Sequence, residues 1–426
     1  MELVEDYRGF GMVKSAIKPW LVCFAASLFF FYEFIQGNMF ASIADNIMHD
    51  FGIQVDKMAY LSSIYYLSNV IFLFVAGMML DRLSTKKAML FAMFLCVIST
   101  FVLAHTQSFS VALLCRFVTG IGSAFCFLGP IRISSRWFPS SQMALVTGVI
   151  VTIAMTGGML AQYPLTKMVV YFGWRDSLSL VGVLGLLLMV VMMLWIKDKP
   201  DGYVSHKHTE SNLLSIAKTA YLNTQNIRAA LYTSLMNMVV AVFGAMLGSL
   251  YLMQRLDVSK ADAAMVNSML FLGAIIGGPF IGWLSDRVGL RVLPMKIGAI
   301  ASLLTILGIM WLPVSLGEMA VLFFFLGFFT ASQVISYALV AESSPPAMTA
   351  TAVSLISILT QGGYVVYQNV FSIVLQRSGD MQMVNNSPVY SLSAYQSAAV
   401  LFPLGLCLAL FLIFRLKETH CKRVMA

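Results

Sequence analysis

The chain has 426 residues, of which 59% are hydrophobic and 11% charged, and its mean hydropathy is +0.84. A soluble domain carries about 25% charged residues, so the composition excludes an ordinary soluble fold and indicates a multi-span membrane protein. The formal charge of +8 comes from cations scattered through short loops. Loop cations follow the positive-inside rule, so they exclude a nucleic-acid surface.

The first apolar run follows a stretch of mixed charge, Met1 to Lys18, and no small-residue cleavage site follows it. It is therefore expected to stay as a span. Apolar segments of about 20 residues recur near 20–43, 58–80, 88–104, 109–133, 143–165 and 177–196. A polar connection runs from Lys197 to about Asn226, and a second set follows near 229–252, 263–284, 293–312, 318–340, 350–375 and 394–414. This pattern predicts an all-α integral membrane protein of 12 transmembrane helices in two pseudo-symmetric halves. Residues 1–196 form the first half, 197–226 a cytoplasmic linker and 227–426 the second half. With the N-terminus inside, inner loops carry about threefold more Lys and Arg than outer ones. Both termini and the linker are thus expected on the cytoplasmic side. The outer loop from Ser378 to Pro388 reads as a polar connector.

Two charged loops repeat. Gly77-Met-Met-Leu-Asp81-Arg82 closes the second span, and Gly282-Trp-Leu-Ser-Asp286-Arg287 closes the eighth. Asp286 follows Asp81 by 205 positions (286 − 81), and Pro346 follows Pro139 by 207 (346 − 139). Two landmarks at nearly one offset predict a duplicated chain.

These loops resemble the Gly-x-x-x-Asp-Arg motif of the major facilitator superfamily, and the resemblance covers essentially the whole chain. It implies a cytoplasmic gate at Gly77, Asp81, Arg82, Gly282, Asp286 and Arg287. Ser84 and Thr85 replace the family's Gly and Arg, which puts the first tight turn in doubt. Arg116 to Ala124 resembles the family's span-4 motif, an Arg followed by small residues that let helices approach. Val149, Ile153 and Ala154 stand where the family's antiporters carry Gly, Gly and Pro, which favours symport. The stretch Tyr32-Glu33-Phe-Ile-Gln36 is similar to the phagosomal nutrient transporters of intracellular bacteria. That narrower likeness implies uptake of an amino acid or nucleoside.

Ionisable groups at bilayer depth mark function by default. Glu33 and Arg116 are the candidates for proton coupling, and a structural salt bridge between them is the alternative. Tyr32, Gln36, Asn38, Tyr65, Asn237, Gln333, Tyr337, Gln361, Tyr364 and Gln368 are candidates for a substrate cavity. Helix–helix hydrogen bonding competes as an explanation for each. One Glu and one Arg among neutral polar groups suit a small polar or zwitterionic solute better than a large lipophilic cation.

Six cysteines show no CxxC spacing and the many methionines read as flexible filling, so neither metal nor cofactor is expected. The phosphate-cradling Gly-x-x-x-x-Gly-Lys-Ser/Thr loop is missing, which excludes ATP as the power source. The expected function is a monomeric secondary active importer and not an enzyme, with proton, solute and lipid bilayer as partners. Transport of a siderophore or drug-like molecule is the rival reading.

Overall fold

Lipid cannot hydrogen-bond a backbone, so each apolar run satisfies its own N–H and C=O groups as a helix. The computed structural model describes residues 17–138, 143–200, 221–344, 349–378, 381–384 and 387–422. Among them, eleven helices are long and apolar enough to cross a membrane. In chain order, spans 1 to 6 are Ile17–Asn38, Val55–Leu80, Thr85–His105, Phe109–Trp137, Val146–Phe172 and Trp174–Trp195. Spans 7 to 10 are Thr224–Leu256, Lys260–Val288, Val292–Trp311 and Leu316–Glu342, and span 12 is Leu392–Ile413. Span 11, Thr349–Ser378, has 30 residues and completes the twelve. Gln361, Tyr364, Tyr367, Gln368 and Asn369 dilute its hydropathy, which marks it as a helix with a polar inner face.

Caps explain where spans extend beyond their apolar runs. Span 8 starts at Lys260 because the Ser259 hydroxyl accepts from Asp262 N at 3.2 Å. It stops where Gly289 takes the left-handed conformation at φ 71°. Span 7 starts behind Asn223, whose side chain accepts from Gln225 N at 2.9 Å. The middle of the expected linker, residues 201–220, lies outside the described residues.

The two halves repeat one packing scheme. Span 2 lies on span 4, and span 8 lies on span 10. A Cβ at Gly120 would sit 2.2 Å from Tyr65 O, and one at Gly327 would sit 1.9 Å from Leu270 O. Gly327 follows Gly120 by 207 positions (327 − 120), so the same close approach occurs once per half. Only glycine permits it.

Spans 1, 4, 7 and 10 all break at mid-membrane. Span 1 turns at Met39 and continues as helix Phe40–Phe51. Span 4 loosens over 124–127 and span 10 tightens into a 3₁₀ turn over Ala331–Val334, again 207 positions apart (331 − 124). Span 7 breaks at Asn237 and winds as a π-helix over Val240–Leu247. Irregular backbone at this depth persists where protein or a cavity surrounds it.

Between spans 11 and 12 the expected connector folds instead as an antiparallel hairpin, β1 Met381–Val384 with β2 Ser387–Tyr390. It rests on helix Phe40–Phe51 of the opposite half. This membrane face is called the hairpin side below, and the face carrying the connection between halves the linker side.

Candidate functional site

The break in span 1 frees backbone carbonyls that a continuous helix would use. Arg116 Nη1 donates to Gln36 O at 3.0 Å, and the Tyr66 hydroxyl donates to Gly37 O at 2.7 Å. Span 4 and span 2 therefore brace the kink. The guanidinium of Arg116 is fully buried and sandwiched, its Cζ 4.7 Å from the Phe40 ring centroid and 4.5 Å from that of Tyr65.

Glu33 is 1% exposed and lies six residues before the turn at Met39 (39 − 33). Its Oε2 accepts from the Tyr65 hydroxyl at 3.0 Å. The Cys96 thiol stands beside the same carboxylate but donates to Thr119 O at 3.6 Å, and Glu33 Oε1 has no hydrogen-bond partner. Arg116 Nε and Nη2 are also without partners. The salt bridge left open from sequence is not formed: Glu33 and Arg116 share the Tyr65 ring without an ion pair between them. Leaving buried polar atoms without partners is costly, which sets Glu33 and Arg116 apart from the satisfied polar groups around them.

The other first-half candidates divide. The Tyr32 hydroxyl lies 3.1 Å from Thr100 Oγ1, and Gln36 Nε2 donates to the same oxygen at 2.9 Å. Both side chains thus tie span 1 to span 3 inside the half. Asn38 bonds back to Phe34 O at 2.8 Å, and its Oδ1 has no partner.

In the second half the broken segments of spans 7 and 10 meet. Asn237 and Gln333 exchange two carboxamide hydrogen bonds, with Gln333 Nε2 to Asn237 Oδ1 at 3.0 Å and a short return bond from Asn237 Nδ2 to Gln333 Oε1. The Tyr364 hydroxyl reaches Asn237 Oδ1 at 3.5 Å, and its ring lies 4.7 Å from that of Tyr66 across the two halves. Tyr337 bonds to Ser357, and Gln361 is half-buried on span 11. Gln368 faces elsewhere: its Nε2 donates to Ala241 O in the π-helix at 2.8 Å.

Contacts that join the halves gather on the hairpin side. Gln162 donates to Gly244 O at 2.8 Å, and Asn267 donates to Gln162 Oε1 at 2.7 Å and to Phe243 O at 3.0 Å. These bonds satisfy carbonyls left loose by the π-helix. Nearer the surface, Lys260 Nζ meets Asp45 Oδ1 at 2.6 Å and Asn46 Oδ1 at 2.8 Å. Asn369 donates to Ser63 Oγ at 2.8 Å, and Gln376 pairs with Gln54. Among the described residues no hydrogen bond joins the two halves at the linker side.

On the linker side each half carries its own latch. Arg291 Nη1 bonds Asp286 Oδ1 at 2.6 Å and its Nη2 bonds Glu342 Oε1 at 2.6 Å. Burial works against the Arg291 charge, yet bonds from Glu342 and Asp286 hold its pKa above the ordinary value. Glu418, just beyond span 12, accepts from Arg291 N at 2.7 Å and Val292 N at 2.8 Å, capping the start of span 9. Burial pushes the Glu418 pKa up, but backbone N–H groups of Arg291, Val292, His420 and Thr419 hold it below the usual carboxylate value. In the first half Asp198, just beyond span 6, takes the same place by accepting from Lys86 N at 2.8 Å.

The gate residues are placed as follows. Ser84 resolves the doubt over the first turn, since it caps span 3 by accepting from Lys87 N at 3.2 Å and also bonds Asp198. Arg287 lies over the Trp283 ring at 5.2 Å, and Gly77 and Gly282 face open space. The side chains of Asp81 and Arg82 lie outside the described residues. Sequence reasoning gave Lys260, Glu342 and Glu418 no site role; for Glu418 the signal was its place after the last span, matching Asp198 after the sixth.

A model described as Major Facilitator Superfamily matches residues 22–249 and 229–423. A probable sulfoacetate transporter of Cupriavidus necator is 21% identical over 203 residues, covering 48% of this chain and 46% of the relative. The hexuronate transporter of Bacillus subtilis is 22% identical over 260 residues, 60% of this chain and 62% of the relative. The chain thus matches about half to three fifths of the length of these two relatives. A bacterial homolog to the human lysosomal transporter Spinster, inward-facing and unoccupied, superposes with a TM-score of 0.76 at 17% identity. That match covers 94% of this chain and 97% of the other.

Proposed function

Since the chain belongs to the major facilitator superfamily, we propose that it is a secondary active transporter that imports a small polar solute by alternating access. The linker side is taken as cytoplasmic, with the chain in a bacterial inner membrane. The hairpin side is closed by hydrogen bonds between the halves, so this conformation is the one facing the cytoplasm. Rocking the halves apart on the hairpin side and together on the linker side would expose the centre outward.

The observation that carries coupling is the unpaired state of Glu33 and Arg116 in one buried pocket. A proton taken by Glu33 from outside neutralises the carboxylate during the crossing. Its release to the cytoplasm restores the charge, which Arg116, lying over the Tyr65 ring, then stabilises. Asp81 and Asp286, with their arginines, act as gate latches rather than ligands. The solute class is an amino acid or nucleoside. Sulfoacetate and hexuronate, named for the two relatives, are anions; here, among the described residues, Arg116 is the one cation at that depth, and Glu33 offsets it. Purified protein in liposomes tests the reading. An inward-directed pH gradient is expected to drive solute accumulation, and flux indifferent to that gradient would leave facilitated diffusion instead.

A further inference from the structure

The second half carries a polar centre of a different kind. Every charged residue of spans 7 to 12 lies within the first or last five residues of its span. Mid-membrane recognition there must be neutral. It is built from the Asn237–Gln333 pair, held at two helix breaks, and from Tyr364, whose hydroxyl reaches Asn237 Oδ1 at 3.5 Å and whose ring meets that of Tyr66 from the other half.

A carboxamide pair has a defined complement. Each amide offers the other one N–H donor and one C=O acceptor, side by side. A ligand that replaces either partner without losing hydrogen bonds must present the same adjacent donor and acceptor. A carboxylate offers acceptors only and an ammonium donors only, so each would leave a buried amide group unpaired. A lactam edge, a ring N–H beside a ring C=O, matches on both counts, and its flat ring suits an aromatic pair.

We propose that Asn237 and Gln333 are the specificity-determining residues of the solute site and select a nucleobase or nucleoside by its lactam edge. In this conformation the two amides satisfy each other. On binding, the ligand edge inserts at Gln333 or Asn237 and the ring slides against Tyr364. The inference rests on the transporter reading and narrows its solute class.

The test uses the full-length protein in nanodiscs, with uridine and inosine as probes in calorimetry. The controls, 3-methyluridine and 1-methylinosine, carry a methyl group where the ring N–H would donate. At least one parent nucleoside is expected to bind, with its methylated form about tenfold weaker or more, as for a site built around a missing donor. Gln333→Leu and Asn237→Leu are expected to abolish the preference for parent over methylated ligand. Gln333→Met, which is close in shape but carries neither the amide donor nor its acceptor, serves if those variants fold poorly, and is expected to lose the same preference. Equal binding of parent and methylated ligands would overturn the inference. So would variants that lose thermal stability but keep the preference, since that is how a plain span 7–span 10 staple behaves. Binding and pH-driven uptake of an amino acid, with no response to nucleosides, would overturn this inference and leave the transporter reading standing. A protein that moves no solute in liposomes, yet still discriminates the lactam edge, would instead count against transport alone.

Discussion

Replacing Lys260 with Met should shift the balance between the two faces of the protein. Lys260 Nζ bonds Asp45 and Asn46 across the halves at 2.6 and 2.8 Å, and the Lys and Asp side chains are 14% and 31% exposed. Hydrogen bonds to charged groups contribute about 1.5–3 kcal/mol, while exposed ion pairs give about 0–1 kcal/mol. This partly shielded pair falls between, at roughly 1–2 kcal/mol, which corresponds to about a 5- to 30-fold change in an equilibrium. The contact exists only while the hairpin side is shut, so its loss favours the opposite state by that factor. Spin labels near the hairpin-side ends of spans 1 and 8 would read the two populations as two distances. The longer distance should gain weight in Lys260→Met, and Asp45→Asn added to it should change little more, since both remove one interaction. Unchanged populations in the single variant would show that the bridge does not hold the gate.

Two further outcomes follow from the packing and the latches. Gly120→Ala would place a Cβ 1.8 Å from Ser68 Oγ, and Gly327→Ala one 1.9 Å from Leu270 O, so each should cost about 1–3 kcal/mol in thermal unfolding. Gly77→Ala and Gly282→Ala, with nothing within 4 Å, should stay within about 0.5 kcal/mol; equal losses at all four sites would contradict the close-approach argument. Glu418→Gln should lower the melting temperature by a constant amount above the ordinary carboxylate value of 4.5. Because the folded pKa is depressed, the Glu418 contribution is complete above that value and fades as pH falls through the lower folded one. A difference from the natural protein that grows on acidification would refute this sign.

The membrane class, the twelve spans and the duplication were legible because each rests on local pattern: apolar runs, charged loops and one recurring offset. Glu33 stood out as a lone acid inside an apolar stretch. Its surroundings did not, since Tyr65 and Cys96 reach it from other helices and periodicity cannot say which faces meet. Tyr32 and Gln36 looked like cavity residues, yet Thr100 on span 3 takes both. Lys260 read only as an outer-loop cation, because its value lies in meeting Asp45 from the other half. The Asn237–Gln333 pair depends on helix breaks at both residues, which no single-residue propensity announces.

The most direct test of coupling through the buried carboxylate is solute transport by Glu33→Gln protein in liposomes, measured as exchange and as pH-driven accumulation. The amide keeps the shape and the Tyr65 contact but cannot exchange a proton. Exchange of labelled for unlabelled solute should persist while accumulation under an imposed pH gradient is lost. Accumulation with accompanying proton uptake in the Glu33→Gln protein would contradict the account.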